Sequence, residues 1–229
     1  MSRGGGAAVP ERRLLDTTDM FAAMPPEVLE SLRAHATVRA LSRNEVLFRQ
    51  GDSSDALYVV QQGRIAIATQ SGDGRESVLA VLEDGALFGE LPLFDDDPRS
   101  ADARALTDTT VVELGYEPVR TVLRQRPELL WMIVRLLVQR LRTTNEALED
   151  AVFLDVPART AKRLLEMAAD TERFTLPVTQ EELASMVGAS RERVNKAISL
   201  FVRLGWLEIE GRNNYRIIDR DAMEDRATL

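Results

Sequence analysis

The chain contains no cysteine. That removes disulfides, thiolate-held iron–sulfur clusters, cysteine-bound zinc and a cysteine nucleophile from consideration. It contains a single histidine, His35, which also excludes a barrel enzyme that holds iron or zinc with two or three imidazoles. Lysine is nearly absent: Lys162 and Lys196 are the only lysines among 29 basic residues, a skew that reads as genome composition. No apolar run approaches the roughly 18–20 residues that cross a bilayer, so no membrane partner is expected. The segment Met1 to Pro10 carries Gly4-Gly5-Gly6 and lacks an apolar h-region, so it reads as a flexible tail and not a signal peptide. The expected compartment is the cytoplasm.

What is present is 229 residues, enough for one large or two small domains and for a core that needs no covalent staples. The net charge of −8 argues at first sight against a nucleic-acid partner. The charge is uneven, however. Residues 155–229 hold 12 basic and 13 acidic side chains, whereas residues 1–154 hold 17 and 24. Between Gly188 and Arg203, four cations (Arg191, Arg193, Lys196, Arg203) stand against Glu192. A basic face inside an acidic protein is compatible with DNA binding, and the surrounding acid weakens sequence-independent adhesion.

The hydrophobic texture changes along the chain. Residues 16–36 read as short helices, with Pro25-Pro26 opening one of them and Leu29 and Leu32 on one face. From Val38 to about Leu114, short apolar runs with period two alternate with turn signals (Gly51-Asp52, Gln62-Gly63, Ser71-Gly72-Asp73-Gly74, Asp84-Gly85), the pattern of an antiparallel sandwich or barrel. From Glu128 to Ala151 the period becomes helical. Leu130, Val134, Leu137, Leu141, Thr144, Leu148 and Ala151 recur in alternating steps of four and three, a heptad seam of about three heptads. Such a seam meets either its own copy in a dimer or another helix of its own domain.

A break follows at Asp155-Val156-Pro157, where Asp155 is placed to cap the next helix. Further on, Thr179-Gln180-Glu181-Glu182 is a capping box. Gly188 suits a tight turn, and Ser190 can cap a second helix. On that helix Val194, Ala197, Ile198 and Phe201 recur at i, i+3, i+4, i+7, leaving Glu192, Lys196, Ser199 and Arg203 on the other face. That outer face is either merely solvated or groove-reading: a guanidinium fork suits guanine O6 and N7, and a carboxylate suits cytosine N4. Two short strands, Trp206–Ile209 and Tyr215–Ile218, with a turn at Gly211-Arg212-Asn213-Asn214, add a wing and favour DNA. The last residues read as polar and frayed.

Residues 181–197, EELASMVGASRERVNKA, resemble the helix-turn-helix of the cyclic AMP receptor protein/FNR family, and the similarity extends over roughly residues 16–219. It implies an α+β fold: an antiparallel β jelly-roll at 16–127 after a 1–15 tail, a dimerisation helix at 128–154, a winged helix-turn-helix at 155–220, and a tail at 221–229. It implies a homodimer on a two-fold DNA site, with RNA polymerase as a further partner. Arg191, Glu192 and Lys196 would read bases, and Thr179 and Ser190 would touch phosphates. Gln180, Arg193 and Asn195 complete the expected DNA-facing set.

Phe88-Gly89-Glu90-Leu91 and Arg99-Ser100-Ala101 bear on a small-molecule site. A cyclic phosphodiester carries one negative charge and two exposed oxygens, and its ribose has one free hydroxyl. One arginine with a hydroxyl suits the first, and one carboxylate suits the second. Arg99 and Ser100 fit the phosphate, Glu90 fits the ribose, and Gly89 permits close backbone approach. Glu90 and Arg99 are equally compatible with a purely structural ion pair. The same residues, with Leu91 and Ala101, resemble the family's phosphate-binding cassette, with a spacer one residue shorter that carries Asp95-Asp96-Asp97. By the same resemblance Thr144 and Asn145 would meet the purine and Arg140 would pair with Glu90; alternatively, Thr144 is a tolerated polar residue in an apolar seam.

The reading is therefore a cyclic AMP-responsive dimeric transcription regulator that uses no metal. The alternative is a regulator of the same fold that is nucleotide-independent or senses another effector. There is no Ser/His/Asp set, metal-ligand cluster or glycine-rich nucleotide loop to suggest an enzyme.

Overall fold

The computed structural model describes residues 24–70, 72, 76–211 and 213–228. The expected tail at 1–15, the start of the short helices at 16–23, most of the Ser71–Gly74 turn and Arg212 of the 211–214 turn lie outside the described residues. The chain divides into two compact units, Met1–Thr69 with Ala80–Leu136 and Gln70–Leu79 with Leu137–Leu229.

The first unit begins at α1 (Pro26–Arg33), with Pro25 at its N-cap and Val28, Leu29 and Leu32 buried. Eight strands follow along the chain: β1 (Ala36–Leu41), β2 (Val46–Phe48), β3 (Ala56–Gln62), β4 (Ile65–Gln70), β5 (Glu76–Leu82), β6 (Leu87–Phe88), β7 (Asp102–Ala105) and β8 (Thr109–Gly115), of which Gln70 at the end of β4 and β5 as far as Leu79 count with the second unit. They form two four-stranded sheets, ordered β1-β8-β3-β6 and β2-β7-β4-β5. Leu41, Tyr58, Val60, Phe88 and Val111 of one sheet and Leu47, Ile65, Ala103 and Ala105 of the other share a single core cluster. This is the antiparallel sandwich that the period-two runs predict and the jelly roll that the family resemblance implies. β3 is buried from Ala56 to Val60 because it is central in its sheet and packed on both faces. A short helix α2 (Pro92–Asp95) interrupts the path from β6 to β7, and α3 (Tyr116–Gln125) follows β8 directly.

A 3₁₀ turn, Pro127–Leu129, leads into α4 (Leu130–Phe153), the long helix that carries the heptad seam. Within the single chain Leu130, Val134, Leu141 and Leu148 are exposed, as are Trp131, Val138, Val152 and Phe153, whereas Ile133 is buried in the first unit.

The second unit contains α5 (Val156–Ala168), β9 (Arg173–Thr175), α6 (Gln180–Val187), α7 (Arg191–Arg203), β10 (Leu207–Ile209), β11 (Asn214–Ile217) and α8 (Arg220–Ala227). The expected caps are present: Asp155 accepts from the Ala158 N–H, Thr179 and Glu182 form a reciprocal capping box, and Ser190 accepts from the Arg193 N–H. Gly188 turns the chain at φ +68°, a left-handed conformation that a β-carbon disfavours. Leu164, Leu183, Val194, Phe201 and Leu207 form the interior.

Two features differ from the sequence-based expectation. A third strand, β9, pairs with β11, giving a sheet ordered β10-β11-β9. The polar C-terminal segment is a helix and not a frayed tail. Asp219 caps α8 through the Ala222 N–H, and Met223 and Ala227 are buried. Arg226 Nη2 donates to both carboxylate oxygens of Asp155, at 2.6 Å each. α8 has little amphipathic signal of its own, and tertiary contacts hold it.

Candidate functional site

In the first unit, the backbone around Arg99 is stitched to the turn after β2. The Arg99 N–H donates to Asp52 O (2.9 Å), and its carbonyl accepts from the Gly51 N–H (2.8 Å). The side chain runs inward and is only 4% exposed. Nη1 donates to Gly89 O at 2.8 Å and to Tyr116 Oη at 3.1 Å, and Nη2 donates to Ala56 O at 2.6 Å. The guanidinium lies over the Phe48 ring, 4.1 Å from its centroid.

A guanidinium carries five N–H donors. Nη1 and Nη2 are engaged through three contacts, all on neutral oxygens, and Nε is buried without a partner. A desolvated cation with an unused donor is costly on its own and favours an incoming oxyanion. The carrier loop is shaped to match: Gly89 has φ +73°, and a β-carbon there would stand 2.6 Å from Arg99 Nη1. The orphaned donor and the glycine cradle fit the single negative charge of a cyclic phosphodiester. Such a nucleotide would supply that anion together with a ribose hydroxyl and a purine.

The other residues singled out from sequence fall as follows. Glu90 is 2% exposed and borders a cavity of about 20 Å³ together with Leu57, Leu87 and Leu93. Ala101 is buried, and Leu91 and Ser100 are exposed. Arg140, Thr144 and Asn145 lie on α4 within the second unit; Thr144 and Asn145 are exposed and Arg140 is half-buried. Tyr116, Phe48 and the Ala56 carbonyl were not singled out. They stand far from Arg99 in sequence, and no local motif announces them. The pairing of β3 with β6 and β8 brings Ala56 and Tyr116 to it, and Phe48 comes from the other sheet, where β2 pairs with β7. Tyr116 Oη also donates to Gly89 O (2.6 Å) and contacts Ser54 Oγ (3.2 Å). Burial pushes its pKa up, so the phenol keeps its proton.

In the second unit, α7 buries Val194, Ala197, Ile198 and Phe201 and exposes Arg191, Glu192, Arg193, Asn195 and Lys196. Lys196 Nζ donates to Glu192 Oε1 at 2.6 Å, an i, i+4 pair that holds the Glu192 carboxyl below its ordinary value. Ser190 is exposed and Thr179 half-buried. Gln180 Nε2 donates to Tyr215 Oη at 2.6 Å, tying the start of α6 to strand β11. The arrangement is a winged helix-turn-helix with a charged, solvent-facing second helix.

A jelly roll with a buried arginine clasp, followed along the chain by a winged helix-turn-helix, defines a DNA-binding transcription regulator that carries a cyclic-nucleotide-binding domain. Comparison with known proteins agrees. Residues 38–126 match the cyclic nucleotide-binding domain, and residues 158–226 match the Crp-like helix-turn-helix domain. The chain is 35% identical over 221 residues to the CRP-like cAMP-activated global transcriptional regulator of Mycobacterium tuberculosis, covering 93% of this chain and 98% of the relative. It is 30% identical over 194 residues to the cAMP-activated global transcriptional regulator Vfr of Pseudomonas aeruginosa, covering 80% and 91%. Among solved structures it resembles the c-di-GMP responsive global regulator CLP of Xanthomonas campestris, with a TM-score of 0.75, 27% identity and coverage of 84% and 99%. The chain belongs to the cyclic AMP receptor protein/FNR family of transcription regulators. Its relatives are regulators and not enzymes. Among the described residues, no helix is long and apolar enough to cross a membrane, and no acidic or histidine cluster could hold a metal.

Proposed function

We propose that this regulator acts as a homodimer whose affinity for a two-fold symmetric DNA site is raised by cyclic AMP. The observation that carries the reading is the buried Arg99 guanidinium, which faces the Gly89 cradle with a donor unspent. Arg99 and Ser100 take the cyclic phosphate, Glu90 takes the ribose 2′-hydroxyl, and Thr144 and Asn145 of α4 take the purine. The exposed apolar residues of α4 support pairing with a second copy along the heptad seam. A ligand that prefers one arrangement of the paired helices shifts the population toward it, and the Asp155 junction carries that shift to the recognition helices. On DNA, Arg191, Glu192 and Lys196 read base edges, with Asn195 beside them. Thr179, Gln180, Ser190 and Arg193 hold phosphates. RNA polymerase is the downstream partner of such a DNA-bound dimer.

Electrophoretic mobility shift on a symmetric site, with and without cyclic AMP, tests the reading. The expected outcome is tighter binding with the nucleotide, abolished by Arg99→Gln; equal DNA affinity in both conditions overturns it. Because the structural relative CLP is a c-di-GMP responsive regulator, cyclic GMP and c-di-GMP belong in the same titration. A response to either one alone would replace cyclic AMP as the effector.

A further inference from the structure

Tyr116 lies seventeen residues beyond Arg99, on the first turn of α3, yet its hydroxyl completes the clasp. Three contacts close a triangle. Arg99 Nη1 donates to both Gly89 O (2.8 Å) and Tyr116 Oη (3.1 Å), and Tyr116 Oη donates to the same Gly89 O (2.6 Å). A phenol has one proton. With that proton on Gly89 O, the 3.2 Å contact with Ser54 runs from the Ser54 hydroxyl to the Tyr116 oxygen. The Tyr116 N–H also donates to Asp55 O at 2.6 Å, so the ring's anchor is fixed to the segment that carries Ser54.

We infer that Tyr116 is the positioning residue of the anion clasp: it occupies Nη1 so that the Nε edge of Arg99 is the edge offered to an anionic ligand. Nη1 is directed at Gly89 O and Tyr116 Oη, themselves 2.6 Å apart, and Nη2 at Ala56 O. The buried Nε–H is left without a partner, and it is the donor that an oxyanion would meet. The Phe48 face beneath the guanidinium fixes its plane, and Tyr116 fixes its rotation within that plane. Without the hydroxyl, Nη1 loses one of its two acceptors and Gly89 O loses a donor. The guanidinium is then free to turn toward other acceptors, and the ligand must do the ordering. Burial keeps the phenol protonated and therefore able to play both parts, donor to Gly89 O and acceptor from Nη1.

This inference rests on the nucleotide-binding reading, and two measurements separate their fates. Calorimetry with cyclic AMP is run on the full-length wild type, Tyr116→Phe and Ser54→Ala. Tyr116→Phe is expected to weaken binding about tenfold, the order of one lost hydrogen bond to a charged group. Ser54→Ala, which removes only the outer donor, is expected to weaken it about two- to threefold and keeps the question answerable if the first variant folds poorly. In parallel, the Arg99 Nε–Hε resonance is followed in isotopically labelled, ligand-free protein and assigned by its loss in Arg99→Lys. It is expected to be sharp and slowly exchanging in the wild type and broadened in Tyr116→Phe, with no comparable change in distant Arg side chains. A wild type that binds cyclic AMP alongside a Tyr116→Phe variant of equal affinity overturns the positioning role. A wild type that ignores cyclic AMP overturns the nucleotide reading, and the positioning role then stands or falls on the resonance alone: broadening supports it, and an unchanged line sinks it.

Discussion

At the scale of single residues, the clasp depends on an absence. Gly89 is required because its φ of +73° and the 2.6 Å approach of Arg99 Nη1 leave no room for a side chain. Gly89→Ala is expected to cost about 1–3 kcal/mol of folding stability through backbone strain and displacement of the guanidinium. Cyclic AMP affinity should fall with it, and thermal melting with calorimetry reads both. On α7, Lys196 occupies a place where an arginine would offer a fork. Its point charge already rests on Glu192, at 2.6 Å with both side chains well exposed. If Lys196 reads a base as proposed, Lys196→Arg is expected to sharpen discrimination at that base by about tenfold, the lower end of a bidentate contact. Competition mobility shifts on sites substituted one base pair at a time measure this, and an unchanged preference at every position would remove Lys196 from the reading set. The types of these residues were all legible in the sequence. What was not legible was who holds Arg99: Tyr116, Phe48 and the Ala56 carbonyl converge on it through strand pairing and carry no local mark.

At the scale of elements, the caps and turns could be read directly, because each is a short-range bargain between a side chain and a nearby backbone N–H. The capping box at Thr179, the Asp155 cap and the Ser190 cap all formed where the residue spacing put them. Helix α8 and strand β9 were not foreseen. α8 carries few apolar residues, and β9 is three residues long; both exist because the second unit packs on them. α8 then changes the meaning of Asp155, which caps α5 and also receives Arg226 on both oxygens. Burial opposes ionisation of this carboxyl, but the Ala158 N–H and the Arg226 guanidinium outweigh it and hold the pKa below the ordinary aspartate value. A carboxyl lowered in the folded state contributes stability above its unfolded pKa, and that contribution is lost as pH falls through the folded value. The second unit should therefore lose stability on acidification below about pH 4. Asp155→Asn, which keeps a cap acceptor but no charge, should flatten that part of the profile, as monitored by melting temperature against pH. A profile unchanged by the substitution would show that the Arg226 contact contributes nothing.

At the scale of the whole molecule, α4 leaves a series of large apolar side chains exposed in the single chain. Leu141 and Leu148 are each about 60% exposed in the single chain, at 60% and 63%. Leu141→Glu combined with Leu148→Glu should therefore leave the monomer's own packing intact and remove pairing. Sedimentation should shift from dimer to monomer, and affinity for a symmetric DNA site should fall by at least about a hundredfold as two half-site contacts become one. A double variant that still sediments as a dimer would place the interface elsewhere. The net charge of −8 sits mostly outside the second unit, which suits a protein that must bind selected DNA sites and leave the rest.

The sequence by itself determined the two kinds of domain, the long helix between them, the helix-turn-helix with its caps, and the residue types of the anion clasp. The long helix, the caps and the helix-turn-helix rest on periodicity and on interactions spanning a few residues; the jelly roll and the clasp residues rest also on phosphodiester chemistry and on the family resemblance. The tertiary structure decided which oxygens saturate Arg99, which donor is left over, and that the polar C-terminus folds back as a helix onto Asp155. Those outcomes join residues tens of positions apart, and burial, not local propensity, sets their cost; only the packed chain brings them within hydrogen-bonding distance.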